Sequence, residues 1–191
     1  MISVTDLDTE FLQLRPFGPE DHDYLVALHE QQRVTTMDDV ETFQSGDDLH
    51  VHLRDLLNAQ MTGWVVYHEG SECRVGAFYV TNLLSGVGAL INPVSDIPAL
   101  KDLVPVDAMG RRLKIMDEAA LVVMPYLFER FNLQRIGGAF YSTNVPGIRF
   151  CQRIGMRAEG IIRHGSRVNG QPVDVHLFGL LKSEVSALCP Q

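Results

Sequence analysis

The stretch NVPGIRFCQRIGMRAEGIIRHGSRVNGQPVDVHLFGL, residues 144–180, carries the most structural information in this chain. It opens with Asn144, a good helix-capping residue, and continues as a short amphipathic segment that closes at Ile154-Gly155-Met156. Apolar residues then flank an Asn169-Gly170 pair, which is the strongest short-range signal for a two-residue hairpin turn. The stretch therefore predicts a short helix followed by a β-hairpin.

Upstream of this stretch, apolar periodicity predicts alternating strands and helices in a single domain over residues 11–184. We expect a loose leader over 1–10, a tail over 185–191 and a loop or short-helix insertion over 93–108. The predicted elements are a strand over 11–16, helices after Gly18 and over 47–60, strands over 64–67, 74–81 and 86–92, a helix over 118–131 and a strand over 134–141.

Composition excludes several classes of function. The 191 residues carry a net charge of −8, which argues against binding to nucleic acid or to an anionic membrane surface. The three cysteines are widely spaced, as is typical of reduced thiols in a cytosolic protein, so we expect a cytoplasmic location. Neither a signal peptide nor a membrane-spanning run is apparent. His50 and His52 lie two apart on a predicted helix and do not share a face, so we expect no metal site.

The order of signals after residue 144 resembles the C-terminal half of the GNAT superfamily of N-acetyltransferases. It is closest to the branch that acetylates ribosomal proteins, other protein N-termini or small-molecule amines, and it also resembles divergent or phage-encoded members. The resemblance implies an α/β (α+β) fold with a central, twisted, mostly antiparallel sheet and helices on both faces. It further implies acetyl-CoA as co-substrate and a primary amine, in a peptide or a small molecule, as acceptor.

In this superfamily a loop of pattern Gln/Arg-x-x-Gly-x-Gly/Ala precedes a long helix and binds the pyrophosphate of coenzyme A through backbone N–H groups. The matching positions here are Arg111, Arg112, Leu113, Lys114, Ile115 and Met116. Arg111 fits the pattern, but Lys114 and Met116 replace glycines and could fill the pyrophosphate space. Alternatively, the three basic residues neutralise the phosphates directly, or they are solvated residues at a helix start.

On the acceptor side, the resemblance implies that Asn144 lies near the pantetheine arm, although it could also act only as a helix cap. Many relatives have a serine three positions later or a tyrosine further along the helix to protonate the leaving thiolate. Gly147 and Phe150 stand there instead, so Tyr141 and Ser142 are the nearest hydroxyl substitutes.

The general base is predicted among acidic and imidazole groups of the hairpin, with Glu159, or a water molecule, as the first choice. A structural hydrogen-bonding role is the alternative for each carboxylate. The other candidates are His164, Asp174 and His176.

Two functions remain open. The first is acetyl transfer to an amine, for which the acidic surface would suit a cationic acceptor. The second, motivated by the altered glycine loop and the missing acid, is a non-catalytic binding or structural module of the same fold. The sequence is compatible with a homo-oligomer but does not specify one.

Overall fold

The computed structural model describes residues 4–36, 62–96, 98–100, 115–168 and 170–187. The predicted helix over 47–60, with His50 and His52, and most of the predicted insertion over 93–108 lie outside these residues.

Within the described residues, eight strands form a single sheet in the order β1-β2-β3-β4-β5-β6-β8-β7. The strands are β1 (Leu7–Asp8), β2 (Leu12–Pro16), β3 (Thr62–His68), β4 (Arg74–Leu84), β5 (Gly88–Ser95), β6 (Arg135–Tyr141), β7 (Arg157–Val168) and β8 (Gln171–Leu181). The helices are α1 (His22–Thr36), α2 (Ile115–Arg130) and α3 (Val145–Arg153), with 3₁₀ turns at Pro19–Asp21 and Lys182–Ala187. Among the described strands, β5 and β6 pair in parallel and all other neighbours are antiparallel.

The larger hydrophobic core lies between the sheet and helices α2 and α3. Ala119, Val123 and Leu127 recur at helical spacing on α2 and are fully buried there. They belong to the same cluster as Ile91 of β5 and Ile136 of β6, which point to this face of the sheet. The α2 helix continues through Pro125, so the lost backbone hydrogen bond does not end it.

A second, smaller core lies on the opposite face of the sheet. Leu25 and Leu28 of α1 pack there with Val65, Tyr79 and Val94 from three neighbouring strands. Helices therefore cover both faces of a mostly antiparallel sheet, and the predicted fold class is confirmed.

The hairpin forms as the Asn-Gly pair predicts. Val168 and Gln171 are the last register pair of β7 and β8, which leaves a two-residue connection between them. Gly170 has a φ of +70°, a left-handed conformation that glycine adopts without steric cost. Turn chemistry alone was sufficient to place this element.

Residues near both ends of the described chain make long-range contacts. Residues 7–8 pair with β2, and the Trp64 indole N–H donates to the carbonyl of Thr5 at 2.7 Å. Val185 packs against the larger core after β8. Described residues within the predicted leader over 1–10 and the predicted tail over 185–191 therefore have apolar and hydrogen-bonding partners far along the chain.

Two other boundaries differ from the prediction. Strand β5 extends to Ser95, into the predicted insertion, because residues 91–95 pair along β4. Helix α2 is described from Ile115 rather than from 118. In the described part of the chain, no helix is both long and apolar enough to span a membrane.

Candidate active site

The sheet opens between β5 and β6. These two strands share three register pairs, Gly88 with Arg135, Ala89 with Ile136 and Leu90 with Gly137. Beyond Leu90, β5 continues along β4 on its far side, while β6 pairs with β8 along its whole length. The two halves of the sheet diverge, and the facing edges of β5 after Leu90 and of β6 after Gly137 have no partner strand among the described residues. Within the described residues, backbone N–H and C=O groups along this gap therefore lack strand partners and are positioned to bond a ligand.

Helix α2 starts at the open end of the gap. Its Met116 packs so closely on Gly76 that a Cβ atom built on that glycine would lie 2.5 Å from the Met116 Cε atom. Gly76 is the register partner of Ser95, the last residue of β5. A ligand bound near the start of α2 would therefore lie where β5 and β6 are already apart.

Asn144 caps helix α3 at the end of β6. Its Oδ1 atom accepts the Gly147 N–H at 2.9 Å, and its carbonyl accepts the Ile148 N–H at 3.1 Å. Its own N–H donates to the carbonyl of Tyr141 at 2.9 Å. Tyr141, Ser142 and Asn144 thus lie at the junction of β6 and α3, and Asn144 caps the helix.

A bidentate ion pair joins the two helices that flank the gap. The Arg153 guanidinium, in the last turn of α3, donates to both carboxylate oxygens of Asp117 at 2.5 and 2.9 Å. These hydrogen bonds raise the pKa of Arg153 further above its ordinary value. The Asp117 side chain is 15% exposed, so water screens this contact less than it would on an open surface. The pair fixes the spacing of α2 and α3 beside the gap.

Glu159 lies at the other end of β6. Its Oε1 atom accepts a hydrogen bond from Nη1 of Arg135, the first residue of that strand. The structure therefore does not bring Glu159 together with Tyr141 and Asn144, which lie six or more residues further along. Glu159 is next to the closed end of the gap, where β5 and β6 still pair.

The other general-base candidates of the hairpin are Asp174, His164 and His176, and two of them form a hydrogen bond within the hairpin. The Asp174 Oδ1 atom accepts the His164 N–H at 2.8 Å, and His164 has a φ of +51°, which is uncommon outside glycine. This contact stabilises the irregularity of β7 between Ile162 and Ser166. The observed contact of Asp174 is thus a structural hydrogen bond. His176 lies opposite Phe140 of β6 and is partly exposed.

The predicted pyrophosphate loop is described only at its last two positions. Arg111, Arg112, Leu113 and Lys114 lie outside the described residues. Ile115 and Met116 are 6% and 5% exposed and belong to the larger core. The Met116 side chain packs on Gly76 of β4, so both side chains contribute to the core.

Helix α3 offers no hydroxyl to the gap. Phe150 is buried, and so is its neighbour Cys151, whose thiol has a pKa raised to about 12 by burial. A built Cβ on Gly138 of β6 would lie 3.5 Å from the Cys151 Sγ atom, which places this thiol behind the strand in the core. Phe150 has no acidic proton and the Cys151 thiol lies in the core, so neither side chain replaces the missing acid.

A family model for the acetyltransferase (GNAT) domain matches residues 12–157, about three quarters of the chain. The chain belongs to the GNAT family. Its similarity to the uncharacterized N-acetyltransferase p20 of Bacillus licheniformis is 33% identity over 67 residues, which span 35% of this chain and only 38% of that protein.

Two solved structures illustrate the shared GNAT fold. A GNAT-family acetyltransferase from Bacillus anthracis aligns with a TM-score of 0.70 at 19% identity, covering 94% of this chain and 99% of the other. RimL, a ribosomal L7/L12 alpha-N-protein acetyltransferase in complex with coenzyme A, aligns with a TM-score of 0.68 at 14% identity, covering 91% and 95%. At these identities the likeness establishes the fold. GNAT acetyltransferases use acetyl-CoA as co-substrate. The open gap is the candidate site for this molecule.

Two features of this GNAT site could not be found from the sequence. Arg135 and Arg153 pair with carboxylates 24 and 36 residues away. Arginines and acids occur throughout the chain, and no spacing rule links partners at such distances. Their roles depend on which strands and helices become neighbours.

Proposed function

We propose that this protein transfers an acetyl group from acetyl-CoA to a primary amine, by direct attack within a ternary complex. The observation that carries the proposal is the unpaired gap between β5 and β6, which can receive an extended thioester arm between two strand edges. GNAT membership supplies the acyl donor. The acceptor, whether a protein N-terminus, a lysine or a small molecule, is part of the proposal.

In the proposed reaction the amine nitrogen attacks the thioester carbonyl carbon, the C–S bond breaks, and the amine loses a proton. Backbone N–H groups of β5 beyond Leu90 polarise the carbonyl, and Pro93 contributes none. Because Tyr141 and Ser142 lie at the opposite end of β6 from the Arg135–Glu159 pair, they return a proton to the leaving thiolate only through intervening water molecules. Glu159, or a water molecule, accepts the proton of the amine.

Segment 111–116 would hold the phosphates of coenzyme A. Because the Ile115 and Met116 side chains are buried, these two residues would contribute through their backbone, and charge neutralisation would come from Arg111, Arg112 and Lys114. Asn144 would orient the pantetheine arm in addition to capping α3.

The non-catalytic module remains the second candidate, favoured by the absence of a hydroxyl side chain from α3 and by the substituted glycines at 114 and 116. Calorimetric titration and thermal shift with acetyl-CoA and with coenzyme A separate the two. The enzyme proposal predicts saturable binding and turnover with a panel of peptide, polyamine and small-molecule amines. Absence of heat and of a thermal shift at millimolar ligand would reject it.

A Lys114→Glu variant tests the phosphate site, and Lys182→Glu serves as its matched control. Lys182 lies just after β8, where its ammonium donates to Asn132 Oδ1 at 3.0 Å. We expect the Lys114 change alone to weaken coenzyme A binding, because only there would a carboxylate replace a cation beside phosphates. Equal effects of both changes would point to net charge rather than to a site.

A further inference from the structure

The ion pair of Arg135 and Glu159 lies on the face of the sheet that carries α1. Side chains alternate along a strand, and Ile136 of β6 and Phe178 of β8 point into the larger core under α2 and α3. Arg135, Gly137 and Gly179 therefore point to the opposite face. The donor side of the gap and this ion pair are on different faces of the same sheet.

Two glycines form a platform beneath the ion pair. Gly137 and Gly179 are register partners on adjacent strands. A Cβ atom on Gly179 would collide with both the Arg135 guanidinium and the Glu159 carboxylate. A Cβ atom on Gly137 would lie 3.3 Å from Nη2 of Arg135 and 2.9 Å from Cδ2 of Leu90. The side chains of the ion pair occupy space that any other residue at 179 would fill.

The platform borders the closed end of the gap, because Gly137 and Leu90 are the last register pair of β6 and β5. If acetyl-CoA binds with its phosphates at the start of α2, its pantetheine arm enters the gap at the open end. The arm then extends towards Gly137 and Leu90. An acceptor approaching on the α1 face would meet the acetyl group beside the Glu159 carboxylate.

Arg135 holds Glu159 without blocking it. Its Nη1 donates to Oε1 of Glu159, and its Nη2 donates to the carbonyl of Phe178 at 3.4 Å, so the guanidinium is tied to the sheet. The Oε2 atom of Glu159 has no hydrogen-bond partner within the described part of the chain. Both side chains are 39% exposed, which leaves the pair accessible to a ligand.

We propose that Arg135 is a positioning residue that fixes Glu159 on the Gly137–Gly179 platform, so that Oε2 receives a cationic primary amine as acceptor. This inference rests on the proposed acetyl transfer and adds the acceptor's recognition to it. A carboxylate held in one orientation binds an ammonium group at a smaller entropic cost than a freely rotating one. A purely structural tie of β6 to β7 across β8 is the competing explanation.

Gly179→Ala is the sharpest test. The added methyl group displaces two partly exposed side-chain ends rather than backbone, so the fold should persist. Gly160→Ala is the matched control, because a Cβ atom on this glycine of neighbouring β7 meets nothing within 4 Å. Arg135→Met removes the guanidinium, and its control is Arg157→Met, which removes the exposed guanidinium of Arg157 on β7 from its ion pair with Glu184 at 3.0 Å.

The measurements are the melting temperature, the Kd for acetyl-CoA, and kcat and KM for an amine acceptor. We expect Gly179→Ala and Arg135→Met to raise the acceptor KM by roughly two- to tenfold, which corresponds to the cost of immobilising one freely rotating side chain on binding. The acetyl-CoA Kd should stay unchanged, and both controls should behave as wild type.

Unchanged KM values in both test variants would overturn the inference. So would parallel changes in KM, acetyl-CoA affinity and melting temperature, since these indicate a structural tie. A wild-type protein that binds acetyl-CoA but acetylates no amine would instead reject the proposed function, so the two failures are distinguishable.

Discussion

Replacement of Asn144 separates its structural role from a chemical one. In the wild type, the Gly147 N–H depends on the Asn144 side chain at 2.9 Å. The other groups at this helix end do not: Val145 N–H donates to the Thr143 carbonyl at 3.0 Å, Pro146 has no N–H, and Ile148 N–H donates to the Asn144 carbonyl. Asn144→Ala therefore leaves one N–H group without its partner.

Loss of such a cap costs about 1 kcal/mol. For a chain of this length, that corresponds to a melting temperature lower by about 2–4 °C, which thermal unfolding followed by circular dichroism can measure. The Asn144→Asp variant keeps an acceptor at the same position and adds a negative charge at the helix N-terminus, which is favourable. Its stability should equal or exceed that of the wild type.

The two variants then answer the functional question in an acetyl-transfer assay well below the melting temperature. If Asn144 only caps α3, the aspartate variant is as active as the wild type. If its amide also orients the pantetheine arm, the aspartate variant folds normally but loses activity, because a carboxylate has no N–H to donate. An alanine variant that melts with the wild type would refute the capping argument itself.

Three further predictions concern stability and reactivity. Deletion of residues 1–10 should lower the melting temperature measurably, because it removes β1 and the Thr5 carbonyl that pairs with Trp64; an unchanged value would support the loose-leader expectation. Iodoacetamide near neutral pH should modify the exposed Cys73 but not the buried Cys151 until the protein unfolds, as peptide mapping can show; early labelling of Cys151 would contradict its burial. Since burial raises the Cys151 pKa from 9.0 to about 12, the stability linked to its protonated form is complete below pH 9 and is lost as pH rises towards 12. Alkaline unfolding of Cys151→Ala should accordingly show a weaker pH dependence over that range.

The residues near position 144 show how far local reasoning reaches. Asn144 was predicted at a helix start, and it caps a helix of nine residues; the Asn-Gly pair was predicted at a hairpin turn, and β7 and β8 flank it. Capping and turn formation involve partners only a few residues apart, so their chemistry can be read from neighbouring residues. The same holds for the burial of α2, whose apolar spacing is helical.

Met116 and Glu159 show that reasoning from neighbouring residues is not sufficient for contacts between distant segments. Met116 was assigned to a phosphate loop by its position in a motif, yet its contact with Gly76 on β4 places it in the core. Glu159 was grouped with Tyr141 and Asn144 as catalytic, but its partner is Arg135 at the opposite end of β6. Each outcome depends on a neighbour more than 20 residues away.

The sequence by itself determined the elements of the 144–180 stretch and, through their order, the GNAT fold. Only the tertiary structure decided that β5 and β6 separate after Leu90 and Gly137, and that Arg135 fixes Glu159 beside this opening. The physical reason is the range of the interactions involved. Helix caps, turns and periodic burial depend on adjacent residues, whereas a gap between strands and an ion pair across three strands exist only after the sheet has assembled.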